Sequence, residues 1–299
     1  MYLDQGSVGQ HRITHARSAL RAYDPLMNVL VRAPGAAFRR ALSEHPERHL
    51  IDSGRAAAQH RGFVAALIAS GVPVVVLPPE PDLPDATFVS DTLLAMPRAG
   101  DPGGRTVLLV LTRPGAESRR PEVESVAAAA RGLVPAQADE IQIEDPGTLD
   151  GGDIVVFGDR VAIGVSGRSN VCGAGQLALA VQSAGYRAFL CPVTDRLHLA
   201  SGVTAIGSRR LVGTAAGFAS LDAAGPEVAP GHEVERILVP DGEPGGANVL
   251  ALGGRCIMAA GNPVTAAALR AAGESVVEVD LVEFARADGG STCLVAIVP

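Results

Sequence analysis

Apolar residues along this chain fall in short runs that come in pairs around a few turn-forming residues, the pattern of β-hairpins. Ile154 to Val156 pairs with Val161 to Val165 around Gly158-Asp159-Arg160, and Val203 to Ile206 pairs with Leu211 to Gly213 around Gly207-Ser208-Arg209. Val249 to Leu252 with Cys256 to Ala259 repeats the form around Gly253-Gly254. Thr87 to Met96 pairs with Thr106 to Leu111 across the Gly- and Pro-rich loop Pro97 to Gly104. Each hairpin is followed by a stretch of helical period and then by a lone apolar strand. The predicted helices are Arg120 to Arg131, Ala174 to Gly185, Pro263 to Gly273 and, interrupted by Gly217, Gly225 and Pro226, Thr214 to Glu227. The lone strands are Glu140 to Glu144, Arg187 to Cys191, Arg236 to Val239 and Ser275 to Val279.

The remaining elements complete the pattern. Strand Asn28 to Arg32, helix Arg55 to Ser70 and strand Val72 to Leu77 open the chain, and strand Cys293 to Val298 ends it. Pairing the last strand with the first makes a fifth hairpin, so the chain reads as a ring of five units in which each buries its face on its neighbours. This predicts one α/β domain over residues 26–299, preceded by an extension over residues 1–25. The charged segment Arg39 to Arg55 reads as a loop or short helix above the ring, suited to serve as a lid.

Composition narrows the function classes. With 47% hydrophobic and 19% charged residues over 299 positions, the chain has the material for a substantial core. A formal net charge of −7 and the absence of a Lys/Arg stripe interleaved with aromatic residues argue against nucleic acid as a partner. No N-terminal apolar stretch has the length of a signal peptide or membrane span, which predicts a cytoplasmic protein with no membrane partner. Four widely spaced cysteines, with no CxxC pair, predict neither a disulfide framework nor a bound metal.

Against that background a few residues stand out. Cys293 follows two glycines in Asp288-Gly-Gly-Ser-Thr-Cys293 and is expected to open the last strand, where backbone can approach a ligand. Cys172, Cys191 and Cys256 lack such surroundings and read as structural. His198, in Arg196-Leu-His-Leu-Ala200, lies just before a hairpin. Asp85 and Asp91 in LPDATFVSD, and Asp150 in GTLDGGD, fall at strand ends, where sites are commonly built. Asp153 reads as a turn cap. Arg119 and Arg168 each follow a hairpin, and two guanidinium forks at the ring opening would suit an amino-acid carboxylate. Gly173-Ala-Gly-Gln-Leu-Ala178 has the GxGxxA spacing, but it follows a hairpin instead of the first strand of a βαβ unit, so a Rossmann nucleotide site is rejected.

In order, LPDATFVSD, TRPGAESRR, GTLDGGDI, SGRSN, LHL, GGAN and DGGSTC resemble the dimethylarginine dimethylaminohydrolases of the guanidino-modifying superfamily, over nearly the whole chain. The resemblance implies a five-bladed α/β propeller, the pentein fold, with Cys293 as nucleophile, His198 as acid/base and Asp150 as third catalytic residue. It further implies that Asp85 and Asp91 bind the guanidinium, that Arg119 and Arg168 hold the substrate carboxylate, and that Leu42 and Ala287 meet the α-amino end through their carbonyls. Ser90 stands where the family often has Glu, which touches substrate preference. The implied reaction is cofactor-free hydrolysis of an Nω-methylated arginine to citrulline through an S-alkylthiouronium. An arginine deiminase-like hydrolase of another guanidine and a non-catalytic binding protein on the same ring stay open as alternatives, as does a homodimer.

Overall fold

The computed structural model describes residues 27–101, 106–134 and 138–299; the predicted extension 1–25 and part of the predicted loop Pro97 to Gly104 lie outside them. The first unit holds β1 (Asn28–Arg32), α1 (Ser53–Ala69) and β2 (Val74–Leu77). Four units of hairpin, helix and strand follow. They are β3 (Leu93–Pro97), β4 (Val107–Leu111), α2 (Glu122–Arg131) and β5 (Asp139–Gln142), then β6 (Ile154–Phe157), β7 (Arg160–Val165), α3 (Val171–Ser183) and β8 (Arg187–Pro192). Next come β9 (Val203–Ala205), β10 (Arg210–Gly213), α4 (Ala215–Ala223) and β11 (Glu235–Leu238), then β12 (Val249–Leu252), β13 (Arg255–Ala259), α5 (Pro263–Ala271) and β14 (Val276–Val279). A short α6 (Val282–Ala285) leads to β15 (Ala296–Val298).

The strands form five three-stranded sheets, each an antiparallel hairpin extended by a parallel strand across the helix. The closure expected of the termini is present: β15 runs antiparallel to β1, with Val29 opposite Ile297, and β1 runs parallel to β2. The inner strands meet around a central channel, β15 against β3, β6 against β9 and β9 against β12. Apolar side chains fill the wedges between adjacent units, such as the cluster of Phe38, Phe63, Phe88 and Phe284 with Leu67. Two-sided burial explains why β4, Val107–Leu111, is an unbroken apolar run.

Three local expectations change. The strand read from Thr87 begins only at Leu93, because Val89–Thr92 winds into a 3-10 turn. Cys293 does not open the last strand; it sits in a turn, with its N–H bonded to the Gly290 carbonyl, and β15 starts at Ala296. The fourth helix is shorter than expected: α4 stops at Ala223, before Gly225 at φ 113° and Pro226, while Gly217 lies within it, where a Cβ would be 2.0 Å from the Gly202 carbonyl oxygen, so this glycine lets α4 lie against that backbone. No helix among the described residues is long and apolar enough to cross a membrane.

Candidate active site

A tight turn leads into each inner strand, and these turns gather at one end of the channel. Asp91 lies in the turn before β3, Asp150 caps the turn before β6, His198 caps the turn before β9 and Cys293 lies in the turn before β15. Backbone leaves its ladder at these positions, so side chains can project along the channel instead of into a sheet face. The structure brings nine of the residues singled out in the sequence to one small cavity: Cys293, His198, Asp150, Asp85, Asp91, Arg119, Arg168, Leu42 and Ala287.

His198 Nε2 lies 3.0 Å from Asp150 Oδ2. A carboxylate can only accept, so Nε2 carries a proton and Nδ1 is the nitrogen left for chemistry. Asp150 is fully buried; its Oδ1 accepts from the Gly115 N–H at 2.8 Å, and its own N–H donates to Ser169 Oγ. Burial opposes a charged His198, but Asp91, Asp150 and Asp153 outweigh it and push the imidazole up to about 9. Asp153 does more than cap its turn. One oxygen accepts from the Leu199 N–H and the other from the hydroxyls of Ser166 and Ser169, so it ties the backbone after His198 to the support of Asp150.

Asp91 is held from two sides. Its Oδ1 accepts from the Gly152 N–H at 2.9 Å and its Oδ2 from Arg119 Nη1 at 2.5 Å. Burial works against this carboxylate, but Arg119 and then His198 overcome it and hold its pKa below the ordinary range. Asp85 accepts from the Leu42 N–H at 3.0 Å; burial raises its pKa against the pull of Arg119. Arg119 is buried, with its guanidinium turned onto groups of its own chain. Its Nε and Nη2 donate to Glu122, Nη2 also to the Asp85 and Phe88 carbonyls, and only 4% of the residue is exposed. Arg168 lines the same cavity half-buried, with no ion pair among the described residues.

Glu122 was missed because helical period alone reads it as the first turn of α2. It is 1% exposed, and burial, opposed by Arg119, raises its pKa to about 7. Glu122→Gln keeps an acceptor but leaves the buried Arg119 with one fewer counter-charge. The carboxyl, raised to about 7, holds its proton more tightly folded than unfolded, so its ionisation costs stability as pH rises through about 7. Glu122→Gln, which cannot ionise, should therefore lose less stability between pH 5 and pH 8 than the wild type, measured by urea titration. An equal loss in both proteins would mean that Glu122 does not titrate in that range.

Cys293 is partly exposed, unlike Cys191 and Cys256, whose burial pushes their thiols up to about 12. Burial, and then the charge of Asp91, raise the Cys293 thiol as well. Ser90 stands apart from the cavity. Its N–H and Oγ both donate to the Cys293 carbonyl, at 3.3 and 3.0 Å, so it braces the Cys293 backbone from the channel side. That channel, about 380 Å³, is walled by apolar side chains such as Leu94, Ile154, Val156 and Ile297, and counter-charges for a cation lie on the Asp85 and Asp91 side. Asp91, Asp150 and His198 offer donor atoms within 4.8 Å of one another, the geometry of a small metal site, but Asp91 is engaged by Arg119 and His198 by Asp150.

No family model matches the chain. It is 38% identical over 271 residues to the N(G),N(G)-dimethylarginine dimethylaminohydrolase of Streptomyces coelicolor, covering 90% of this chain and 96% of the relative. It is 31% identical over 268 residues to the enzyme of the same name from Pseudomonas aeruginosa, covering 86% of this chain and 98% of that one. The solved structure of a cysteine-to-serine variant of the Pseudomonas aeruginosa enzyme, complexed with citrulline, superposes with a TM-score of 0.79 at 30% identity, over 90% of this chain and 98% of the other. Likeness of that extent in both sequence and fold means that the chain belongs to the dimethylarginine dimethylaminohydrolase family.

Proposed function

We propose that this protein hydrolyses Nω-methylated arginine to citrulline and dimethylamine or methylamine, with Cys293 as nucleophile, His198 as acid/base and Asp150 as its orienting partner. The observation that carries the reading is the convergence of a thiol, an Asp-paired imidazole and two further carboxylates in one cavity. A guanidinium spreads its charge over three nitrogens and resists attack, so catalysis needs both a strong nucleophile and fixed counter-charges. Asp85 and Asp91 provide the counter-charges. Arg119 fixes Asp91, and Arg168 is the fork free to take the substrate carboxylate, with Leu42 and Ala287 at the α-amino end.

A bound cation beside Cys293 favours the thiolate, and the thiol gives up its proton to solvent as substrate settles. Sulfur then adds to the guanidinium carbon. His198, held as imidazolium by its carboxylate neighbours, delivers its proton to the departing amine as the C–N bond breaks. The resulting thiouronium is attacked by water that gives one proton to the now neutral His198, and collapse returns the electron pair to sulfur and, as the added hydroxyl gives up its proton to sulfur or solvent, releases neutral citrulline.

Residence in the cytoplasm and assembly as a homodimer belong to the same proposal. The test is citrulline formation from asymmetric dimethylarginine and from arginine, side by side, with Cys293→Ser as control. Turnover of the methylated substrate that disappears in the control is the expected result. Turnover of arginine alone would replace this reading with a deiminase, and no turnover of either would overturn the substrate class.

A further inference from the structure

Four of the turns that enter the inner strands supply the active-site groups already described: Asp91, Asp150, His198 and Cys293. The fifth, before β12, supplies Asn248, the last residue of the GGAN string. We propose that Asn248 is a further catalytic residue, a neutral hydrogen-bond donor to the Cys293 sulfur that favours the thiolate during attack and again as sulfur leaves. The proposal rests on Cys293 being the nucleophile.

The geometry fixes which end of the carboxamide faces the sulfur. Asn248 Oδ1 lies 2.9 Å from the Thr292 N–H and 3.2 Å from Ser291 Oγ, while Nδ2 lies 3.7 Å from Cys293 Sγ. A backbone N–H can only donate, so the atom it meets must be the oxygen, and the NH₂ must point at the thiol. Ser291 Oγ also reaches the Asn248 carbonyl at 3.0 Å, which pins the residue on its backbone side. The side chain is buried, so little water competes for the sulfur contact. The glycines of the DGGS string fit around it: a Cβ at Gly290 would come within 2.6 Å of the Asn248 side chain, and one at Gly289 within 2.3 Å of the Phe88 ring.

A donor is needed here because the other neighbours oppose the anion. Burial raises the thiol, and Asp91 raises it further; Asn248 acts the other way, with the Gly290 backbone and the Thr292 hydroxyl. The remaining charged or titratable groups of the cavity are His198, Asp85, Asp150, Arg119, Arg168 and Asp288. When the C–S bond forms, the sulfur lone pair is spent and the contact weakens. When that bond breaks, the pair returns to sulfur and the N–H again meets an anion. Asn248 therefore acts on both steps without taking or giving a proton.

The experiment follows alkylation of the free enzyme by iodoacetamide against pH, alongside kcat/KM, in the wild type, Asn248→Leu and Asn248→Asp, with Cys293→Ala as the label control. Leu removes the donor without adding charge, while Asp keeps an acceptor for the Thr292 N–H and replaces the NH₂ by a charged oxygen. The expected result is an upward move of the alkylation midpoint by about one pH unit or more in Leu and further in Asp, with kcat/KM at pH 7 falling about 10- to 100-fold. A wild-type alkylation profile in either variant overturns the proposal, because a residue that merely braces the turn would not move the thiol. If Asn248→Leu does not fold, Gly290→Ala, whose Cβ must displace the carboxamide, supplies the neutral test and must show the same move. Turnover that survives in Cys293→Ala would instead bring down the nucleophile reading itself, an outcome separable from an unmoved profile at Asn248.

Discussion

Cys293→Ala should lose citrulline formation by about 10⁴-fold or more, because the remaining groups can bind and polarise a guanidinium but have nothing to add to its carbon. The same variant should unfold within a few degrees of the wild type, since the thiol sits in a turn, partly exposed at the edge of the phenylalanine cluster, and only its sulfur is removed. Labelling by a haloacetamidine at position 293 should vanish with the activity, leaving at most the partly exposed Cys172 at the start of α3 to react, since Cys191 and Cys256 are buried among apolar side chains with their thiols pushed up to about 12. Retained turnover in Cys293→Ala would mean that water attacks directly and that no thiouronium forms. Steady-state kinetics and mass spectrometry of the labelled protein check both arms.

His198→Ala should reduce turnover about 10²- to 10⁴-fold, the usual worth of a positioned acid/base. Wild-type enzyme should also show a characteristic pH dependence. Its folded-state pKa, about 9, lies above the ordinary 6.5 because three carboxylates surround it, so the group binds a proton more tightly folded than unfolded. The stability this contributes is fully present below pH 6.5 and is lost as pH rises through about 9. A shift of that size amounts to about 3 kcal/mol, so urea midpoints compared at pH 6 and pH 10 should differ more in the wild type than in His198→Ala. With the Cys293 thiol also raised, the singly protonated thiol–imidazole pair that attack requires is scarce at neutral pH. The wild-type kcat/KM should therefore climb about tenfold per pH unit between pH 6 and 8. A flat profile there would mean that the thiolate–imidazolium pair is already formed at pH 6.

Hairpin units were legible because turn chemistry is local: Gly158-Asp159 and Gly253-Gly254 mark their turns without reference to anything distant, and β6, β7, β12 and β13 begin and end within a residue or two of expectation. The misses lie where tertiary contacts decide backbone shape. Val89–Thr92 lies inside the run read as a strand, but Asp91 must turn to meet Gly152 and Arg119. The charged segment Arg39 to Arg55 showed no period, yet it is moored to the ring through the Leu42 N–H on Asp85, Ser43 Oγ on the Arg286 carbonyl and the Glu44 N–H on Asp288. Short α6, Val282–Ala285, has too few residues to express a period and is held by Gln59 of α1, whose carboxamide oxygen accepts from the Glu283 N–H.

The sequence by itself determined the five-unit order, the closure of the last strand on the first, and which side chains are chemically equipped for the site. Those follow from local periodicity, turn residues and the reactivity of a thiol, an imidazole and a carboxylate. Only the tertiary structure decided what those groups do to one another. Gly152 and Asp91 are 61 residues apart, His198 and Asp150 are 48 apart, and Cys293 and Asn248 are 45 apart, yet each pair is in contact. An imidazole raised to about 9, an arginine turned inward onto Asp91 and Glu122, and a carboxamide aimed at a sulfur all depend on distance and burial. Coulombic and hydrogen-bond energies fall off with separation in space, and spatial separation exists only once the ring has closed.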